Sequence, residues 1–229
     1  MLPAKEILRL YEGVVKLDTT AYGVEQARDI NRLRKHLPDG VKVLDIGCGF
    51  GIPTTQAAQF FDVSACDVLA QERKEFVEML MKMRGINFKW IEGKDLPYPD
   101  ASFDGLLLYA VIEHVKDKET LLKECARLLK PNGKIFIFRA VNKRAFAERL
   151  ARMLNLVSHG DEVVTESQLR SEFTNAGFRI DRLGYQGWLP ENYLPRWPIY
   201  LINKVLIHTP ILNMFSHDYW LVATKQSKE

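Results

Sequence analysis

Three closely spaced glycines and one aspartate are the residues whose types and spacing most directly indicate chemistry. Gly47, Gly49 and Gly51 alternate with larger residues directly after the mainly apolar run of residues 41–46. A bare backbone at the junction of a strand and a helix lets a ligand approach closely. Asp45 precedes the glycines, and its negative charge would repel a pyrophosphate bound there. The stretch therefore favours a ligand that carries cationic groups.

A second aspartate indicates that this ligand is a nucleoside. Asp67 stands twenty residues after Gly47, at the end of the next predicted strand, where a carboxylate can accept both hydroxyls of a ribose. The dinucleotide fingerprint ends in glycine or alanine, whereas Ile52 occupies that position here. The residues therefore predict a nucleoside with a positive, phosphate-free tail. Simple turn glycines, and Asp67 as the N-cap of a helix, remain open as alternatives.

Strands that alternate with helical patterns must position these residues. A continuous apolar run at residues 103–110 is typical of a central strand that is buried on both faces. Five β–α repeats of this kind predict an open parallel sheet with helices on both sides. The predicted strands are residues 41–46, 62–67, 86–92, 103–110, 134–140, 178–184 and 218–225, and the predicted helices include residues 23–37, 70–84, 117–130 and 166–177.

Composition limits the classes of protein that need to be considered. A chain of 229 residues, 47% hydrophobic and 27% charged, can form one well-buried core, so we expect a single domain over residues 1–229. The net charge of +3 is too small to argue for nucleic acid. Three irregularly spaced cysteines form neither a disulfide framework nor a metal-ligand pattern, which favours a cytoplasmic protein. We expect no signal peptide and no membrane span.

The glycine stretch D-I-G-C-G-F-G resembles motif I of the class I S-adenosylmethionine-dependent methyltransferases. The resemblance continues through Asp67 and through residues 92–104, 109–115 and 128–138, in that order. It is strongest for the subgroup that contains the ubiquinone- and menaquinone-type small-molecule methyltransferases. It implies an α/β fold: a Rossmann-like, doubly wound, mostly parallel seven-stranded sheet with helices on both faces and an antiparallel last strand.

The resemblance also implies a role for each matching residue in binding S-adenosylmethionine. Asp45 and the backbone of the glycines would hold the amino-carboxypropyl tail, and Asp67 would accept the ribose hydroxyls. Glu92 and Gly93 stand where the family has an Asp-Ala pair that receives the adenine amino group. The predicted cofactor-binding residues are Asp45, Gly47, Cys48, Gly49, Gly51, Asp67, Val68, Glu92, Gly93, Tyr109 and Ala110.

Three residues are candidates for a catalytic role. His114 would face the substrate as a general base, although a structural histidine remains an alternative. His159 is a second candidate, and Tyr109, which the resemblance places against the methionine portion of the cofactor together with Ala110, is the third. Some related groups bind a divalent metal through E-x-x-E-H, but Ala110 replaces the first acid here. We therefore predict no metal ion.

The resemblance divides the chain into residues 1–40 as an N-terminal helical cap, residues 41–140 as a cofactor-binding core, and residues 185–215 as a lid-like insert. The aromatic insert would be either a packed lid or an apolar acceptor site that receives a lipid-like substrate and touches a membrane surface. The predicted function is methyl transfer to a small molecule, apolar or like a lipid, quinone or glycan precursor. An RNA methyltransferase and a non-catalytic nucleoside-binding protein remain alternatives, although no N-P-P-Y motif supports the first.

Overall fold

The structure is a computed structural model. It describes residues 21–68, 70–71, 73–92, 95–146, 149, 153, 162–187, 205, 209 and 212–226.

A seven-stranded sheet forms the centre of the described chain, in the strand order β3-β2-β1-β4-β5-β7-β6. The strands are β1 (Lys42–Ile46), β2 (Asp62–Val68), β3 (Asn87–Ile91), β4 (Phe103–Tyr109), β5 (Leu129–Val141), β6 (Phe178–Gln186) and β7 (Asp218–Lys225). The pairs from β3 to β5 are parallel, and β7 runs antiparallel to both of its neighbours. The predicted fold, with its antiparallel last strand, is confirmed.

Helices cover both faces of this sheet. They are α1 (Ala21–Arg34), α2 (Ile52–Ala57), α3 (Lys74–Met83), α4 (Lys118–Leu128) and α5 (Glu166–Asn175), with short 3-10 turns η1 (Ile112–His114) and η2 (Asn213–Phe215). Side chains alternate across a strand, so Ile135 and Ile137 of β5 pack in one apolar cluster with α4 and α5. Phe136 and Phe138 pack on the other face with α1 and α2.

The predicted element boundaries differ from the observed ones where a local turn decides them. Helix α3 begins at Lys74 instead of residue 70 and ends before Gly85, whose φ of 65° is left-handed. Strand β5 begins at Leu129, because Leu129 pairs with Phe103 ahead of the turn at Asn132. These shifts leave the order of the elements unchanged.

Parts of the predicted domain organisation lie outside the described residues. These parts are residues 1–20 of the cap and most of the insert at residues 185–215. The single domain, the cap and the lid therefore stay predictions. Among the described residues, none of the helices combines the length and the apolar character that crossing a bilayer requires.

A buried asparagine ties strand β7 to the end of β5. Asn142 is 0% exposed, and its Nδ2 donates to the carbonyl oxygens of Met214 at 2.9 Å and Ser216 at 2.8 Å. Its Oδ1 accepts hydrogen bonds from the hydroxyl of Tyr219 at 2.6 Å and from the backbone N–H of Arg144 at 2.9 Å. One side chain thus holds the segment that leads into the antiparallel strand.

We predict that Asn142→Ala lowers the free energy of unfolding by about 3 kcal/mol, because it leaves several buried polar groups without partners. Denaturant unfolding followed by circular dichroism measures this change. Asn175→Ala is the matched control, since Asn175 is exposed at the end of α5 and should change stability by less than about 0.5 kcal/mol. Equal effects of the two substitutions would contradict the role given to Asn142.

Candidate functional site

A cavity of about 820 Å³ opens where the carboxyl ends of β1, β2 and β4 meet. Strand β1 is flanked by β2 on one side and by β4 on the other, so the order of strands reverses at β1. Open α/β sheets bind ligands in the crevice at such a point. The volume is within the range of small-molecule sites.

The three glycines after β1 share a backbone conformation but differ in what surrounds them. All have left-handed φ values, 75° at Gly47, 57° at Gly49 and 77° at Gly51. A Cβ atom at Gly47 would lie 2.7 Å from Cγ2 of Val111, whereas one at Gly49 would meet no atom within 4 Å. Gly49 also lines the cavity. The bare backbone that a ligand can approach is therefore clearest at Gly49.

Gly51 lies at the N-cap of α2 and is not among the residues that line the cavity. A Cβ atom here would lie 2.5 Å from Cε of Met81 in α3. Packing between helices accounts for this glycine, and its predicted contact with the cofactor stays a prediction.

Asp45 places an unpaired carboxylate oxygen at the wall of the cavity. The residue is 0% exposed and lines the cavity. Its Oδ2 accepts a 2.6 Å hydrogen bond from the hydroxyl of Thr54, while Oδ1 has no hydrogen-bond partner. Burial raises the pKa of Asp45 to about 7, a net shift that the hydrogen bond from Thr54 opposes and the nearby Asp67 supports. A cationic ligand group would satisfy this oxygen.

Asp67 is held at the end of β2 by the glycine loop. Its Oδ2 accepts a hydrogen bond from the backbone N–H of Gly49 at 2.7 Å, and its Oδ1 accepts one from the N–H of Val68 at 2.7 Å. The N-cap position of α3 belongs to Arg73. The alternative that Asp67 caps this helix is therefore wrong.

Arg73 is a site residue that sequence reasoning missed. Its Nη2 lies 3.2 Å from Oδ2 of Asp67, and it lines the cavity. Its position in the loop after β2 could have indicated a role in the site, because such loops carry binding residues in α/β folds.

Apolar side chains form the wall beyond Asp67. Val68 is 56% exposed and Phe50 is 45% exposed, and both line the cavity together with Ile91 and Leu96. Large apolar side chains left open in a cavity suit a flat, apolar ligand group such as a nucleobase.

The adenine contact predicted for residues 92 and 93 stays a prediction. Glu92 is exposed and is not among the cavity-lining residues, and Gly93 lies outside the described residues.

The end of β4 and the turn η1 form another wall of the cavity. Tyr109, Ala110 and His114 all line the cavity. Tyr109 is 6% exposed. His114 is exposed at the rim, and His159 lies outside the described residues. The catalytic roles of these residues stay predictions.

Gln26 is a second residue that sequence reasoning missed. It lies on α1, is 2% exposed, lines the cavity, and has no hydrogen-bond partner for Oε1. No local pattern distinguishes it from the other polar residues of this helix. Its place in the site depends on the packing of α1 against the sheet.

The cysteines contribute volume to the core. Cys48, Cys66 and Cys125 are buried and free, and burial raises the pKa of Cys66 to about 12. Because the thiolate is the nucleophilic form, these thiols are inert at neutral pH. Among the described residues, no three His, Cys, Asp or Glu side chains are grouped to hold a metal ion.

The described residues fit S-adenosylmethionine in each of its parts. The unpaired oxygen of Asp45 suits the cationic tail, Asp67 suits the ribose hydroxyls, and the apolar wall suits the adenine. The open space at Gly49 lets the cofactor lie directly against the backbone.

Comparison with known proteins gives the same assignment. Residues 44–137 match the model of a methyltransferase domain. The chain is 30% identical over 167 residues to the ubiquinone biosynthesis O-methyltransferase of Xanthomonas axonopodis pv. citri, covering 66% of this chain and 69% of the relative. It is 27% identical over 161 residues to the demethylmenaquinone methyltransferase of Tropheryma whipplei, covering 64% of this chain and 67% of the relative. The match to O-methyltransferase cnsE of Penicillium expansum, 29% identical over 150 residues and 62% of this chain, spans about half of that relative, 53%.

Solved structures support the fold. A methyltransferase from Archaeoglobus fulgidus that depends on S-adenosylmethionine superposes with a TM-score of 0.65 at 18% identity, covering 92% of this chain and 98% of that one. Phosphoethanolamine N-methyltransferase 2 of Haemonchus contortus, solved with S-adenosylmethionine, superposes with a TM-score of 0.61 at 21% identity, covering 92% of this chain and 59% of that one. Together with the site and the relatives, these findings show that the chain belongs to the class I S-adenosylmethionine-dependent small-molecule methyltransferases.

Proposed function

We propose that this protein transfers a methyl group from S-adenosylmethionine to an oxygen atom of a small-molecule acceptor. The observation that carries the donor half is the pair of buried carboxylates at the ends of β1 and β2, Asp45 and Asp67. Asp45 offers an unpaired oxygen to a cation, and Asp67 lies against the open backbone of Gly49. The names of two O-methyltransferase relatives support oxygen as the acceptor atom.

We further propose that residues 141–215 decide which acceptor is used. The family model matches residues 44–137 and stops before this part. The insert at residues 185–215 carries Trp188 and Trp197, which suit an apolar acceptor or contact with a lipid surface. Location in the cytoplasm, His114 and His159 as acid–base groups, and the adenine contact of Glu92 and Gly93 are parts of the same proposal.

Titration calorimetry tests the donor half directly. We expect S-adenosylmethionine and S-adenosylhomocysteine to bind and NAD not to bind, because Asp45 and Ile52 disfavour a pyrophosphate. Transfer of labelled methyl to phenol-, alcohol- and amine-bearing probes then tests the acceptor half. A preference for NAD would overturn the proposal.

We predict that Asp67→Ala weakens S-adenosylmethionine binding at least about tenfold, because a lost hydrogen bond to a charged group costs about 1.5–3 kcal/mol. Calorimetric titration measures the dissociation constant. Asp62→Ala is the matched control, since Asp62 is an exposed aspartate at the start of the same strand. If both variants bind as the parent does, Asp67 has no part in the site.

The affinity for S-adenosylmethionine should depend on pH through Asp45. With a pKa of about 7 in the free protein, Asp45 is ionised above that pH, and a cationic ligand tail favours the ionised form. Protonation below pH 7 therefore competes with binding, and the dissociation constant should rise about tenfold between pH 8 and pH 6. Asp45→Asn should bind S-adenosylmethionine more weakly, and its dissociation constant should not change between pH 8 and pH 6. A pH-independent affinity in the parent protein would contradict the assignment.

The same shift predicts the opposite trend for the free protein. The pKa of Asp45 in the folded protein lies above the ordinary value of 3.8. As pH rises, Asp45 therefore loses its proton at a lower pH in the unfolded chain than in the folded protein. The free energy of unfolding should therefore fall as pH rises from about 4 to 7, and saturating S-adenosylmethionine should reduce the fall.

A further inference from the structure

Two buried oxygen atoms that have no hydrogen-bond partner among the described residues belong to side chains of the same cavity. Oε1 of Gln26 belongs to a residue of α1 that is 2% exposed, and Oδ1 of Asp45 belongs to a residue of β1 that is 0% exposed. Both residues line the cavity. A buried acceptor without a donor costs stability, so we expect a bound ligand to supply the donors for these two oxygens.

Gln26 interrupts the apolar face of α1. Residues four and seven positions apart lie on one side of a helix, and Ile30 and Leu33, at those spacings from Gln26, are 1% and 0% exposed. Both pack in one apolar cluster with Ala57 of α2 and Leu107 of β4. An apolar residue at position 26 would continue this face, so packing alone does not account for a glutamine there.

The N-terminal half of α1 lies close to the elements that hold Asp45. Glu25 pairs with Arg139 near the end of β5 at 2.7 Å, which places this half of the helix at the carboxyl ends of the strands. Helix α1 also contacts α2, and Thr54 of α2 donates to Oδ2 of Asp45 at 2.6 Å. Gln26 and Asp45 therefore reach the cavity from neighbouring elements.

A hydrogen-bond network around Asp29 fixes α1 on the sheet about one turn beyond Gln26. Nη1 of Arg32 donates to Oδ1 of Asp29 at 2.5 Å and to Oε1 of Gln186 in β6 at 2.7 Å. Nε2 of Gln186 donates to Oδ2 of Asp29 at 3.3 Å, and the guanidinium of Arg32 lies 4.6 Å from the ring centre of Trp220 in β7. The turn that carries Gln26 is thus held at both ends, and a binding group on such a rigid element loses little freedom when a ligand binds.

A primary ammonium group suits both unpaired oxygens at once. It has three N–H donors, so it can donate to Gln26 and to Asp45 together, whereas a hydroxyl group can donate only once. Its positive charge balances the negative charge of ionised Asp45, and the neutral amide of Gln26 adds an acceptor without adding charge. In S-adenosylmethionine the sulfonium has charge but no N–H, and the adenine amino group has N–H donors but no charge. The ammonium of the tail is therefore the group that fits.

We propose that Gln26 and Asp45 together receive the ammonium group of the S-adenosylmethionine tail, an assignment that rests on the proposed function. Gln26 is then a binding residue that determines specificity, because it favours nucleosides whose tail carries an amino group over those that lack one. Gln26 lies on α1, ahead of the matched residues 44–137. The donor site therefore depends on a helix outside the matched methyltransferase domain.

Three ligands that share one nucleoside test this assignment by calorimetric titration. S-adenosylhomocysteine carries the whole tail, its deaminated analogue lacks only the amino group, and 5′-methylthioadenosine lacks both the amino and the carboxylate groups. In the parent protein we expect the deaminated analogue to bind at least about tenfold more weakly than S-adenosylhomocysteine, because hydrogen bonds to a charged group are lost. Equal affinity of the parent for these two ligands would overturn the proposal.

Gln26→Met removes the amide and keeps nearly the length and volume of the side chain. We expect the dissociation constant of S-adenosylhomocysteine to rise about tenfold or more, and those of the other two ligands to stay within about twofold. The Tm of the ligand-free variant should equal or exceed that of the parent, because an unpaired buried oxygen is removed. A purely structural glutamine would instead lower the Tm and change the affinity for all three ligands alike.

Gln56→Met is the matched control. Gln56 is a buried glutamine of the neighbouring helix α2, 6% exposed, and is not among the residues that line the cavity. Its substitution should leave the dissociation constant of S-adenosylhomocysteine within about twofold of the parent value. An equal loss of affinity in the two variants would contradict the role given to Gln26.

The results separate the role of Gln26 from the proposed function. If the parent protein binds none of the three nucleosides, the proposed function itself fails. If the parent and Gln26→Met bind S-adenosylhomocysteine equally well, the donor site stands and the role of Gln26 is wrong. Loss of folding in Gln26→Met, seen by circular dichroism, would also overturn that role, since the amide would then serve packing.

Discussion

The reversal of strand order at β1 is the constraint on which the rest of this structure depends. With β2 on one side of β1 and β4 on the other, the connections leave in opposite directions and a crevice stays open at the carboxyl ends. Asp45, Asp67 and Tyr109 occupy those ends on three adjacent strands. The sheet thus brings two acids and a phenol to one cavity without any of them having to leave regular structure.

The crevice concentrates features that cost stability. Asp45 is buried with one oxygen unpaired, and Ala110, which lines the cavity, has a left-handed φ of 55°. Outside the cavity lining, Arg139 has a left-handed φ of 62° within β5, where the pairing with β7 shifts. Each such conformation costs about 1 kcal/mol or more. The apolar clusters on both faces of the sheet hold these residues in place, and Arg139 is also fixed by two carboxylates. Strain and unpaired charge therefore persist where a ligand is expected to use them.

The sequence predicts that Asp45, Gly49 and Asp67 lie close together, because they come from one local part of the chain. The carboxylate of Asp45, the open backbone of Gly49 and the loop contact of Asp67 all arise within one β–α–β unit, where spacing alone places them. The same spacing could not show that Asp67 receives hydrogen bonds from the glycine loop instead of capping α3. The partners of Asp29 were beyond prediction for a different reason, since 157 residues separate Asp29 from Gln186.

The family model matches residues 44–137, the part of the chain that contains Asp45, Gly49 and Asp67. These three residues come from β1, β2 and the loop that follows β1. The hydrogen-bond network around Asp29 needs α1, which precedes the matched part, and β6 and β7, which follow it. Substitutions in those flanking elements can change this network while Asp45 and Asp67 stay as they are. The proposal that residues 141–215 decide which acceptor is used agrees with this division, because these residues lie outside the matched part.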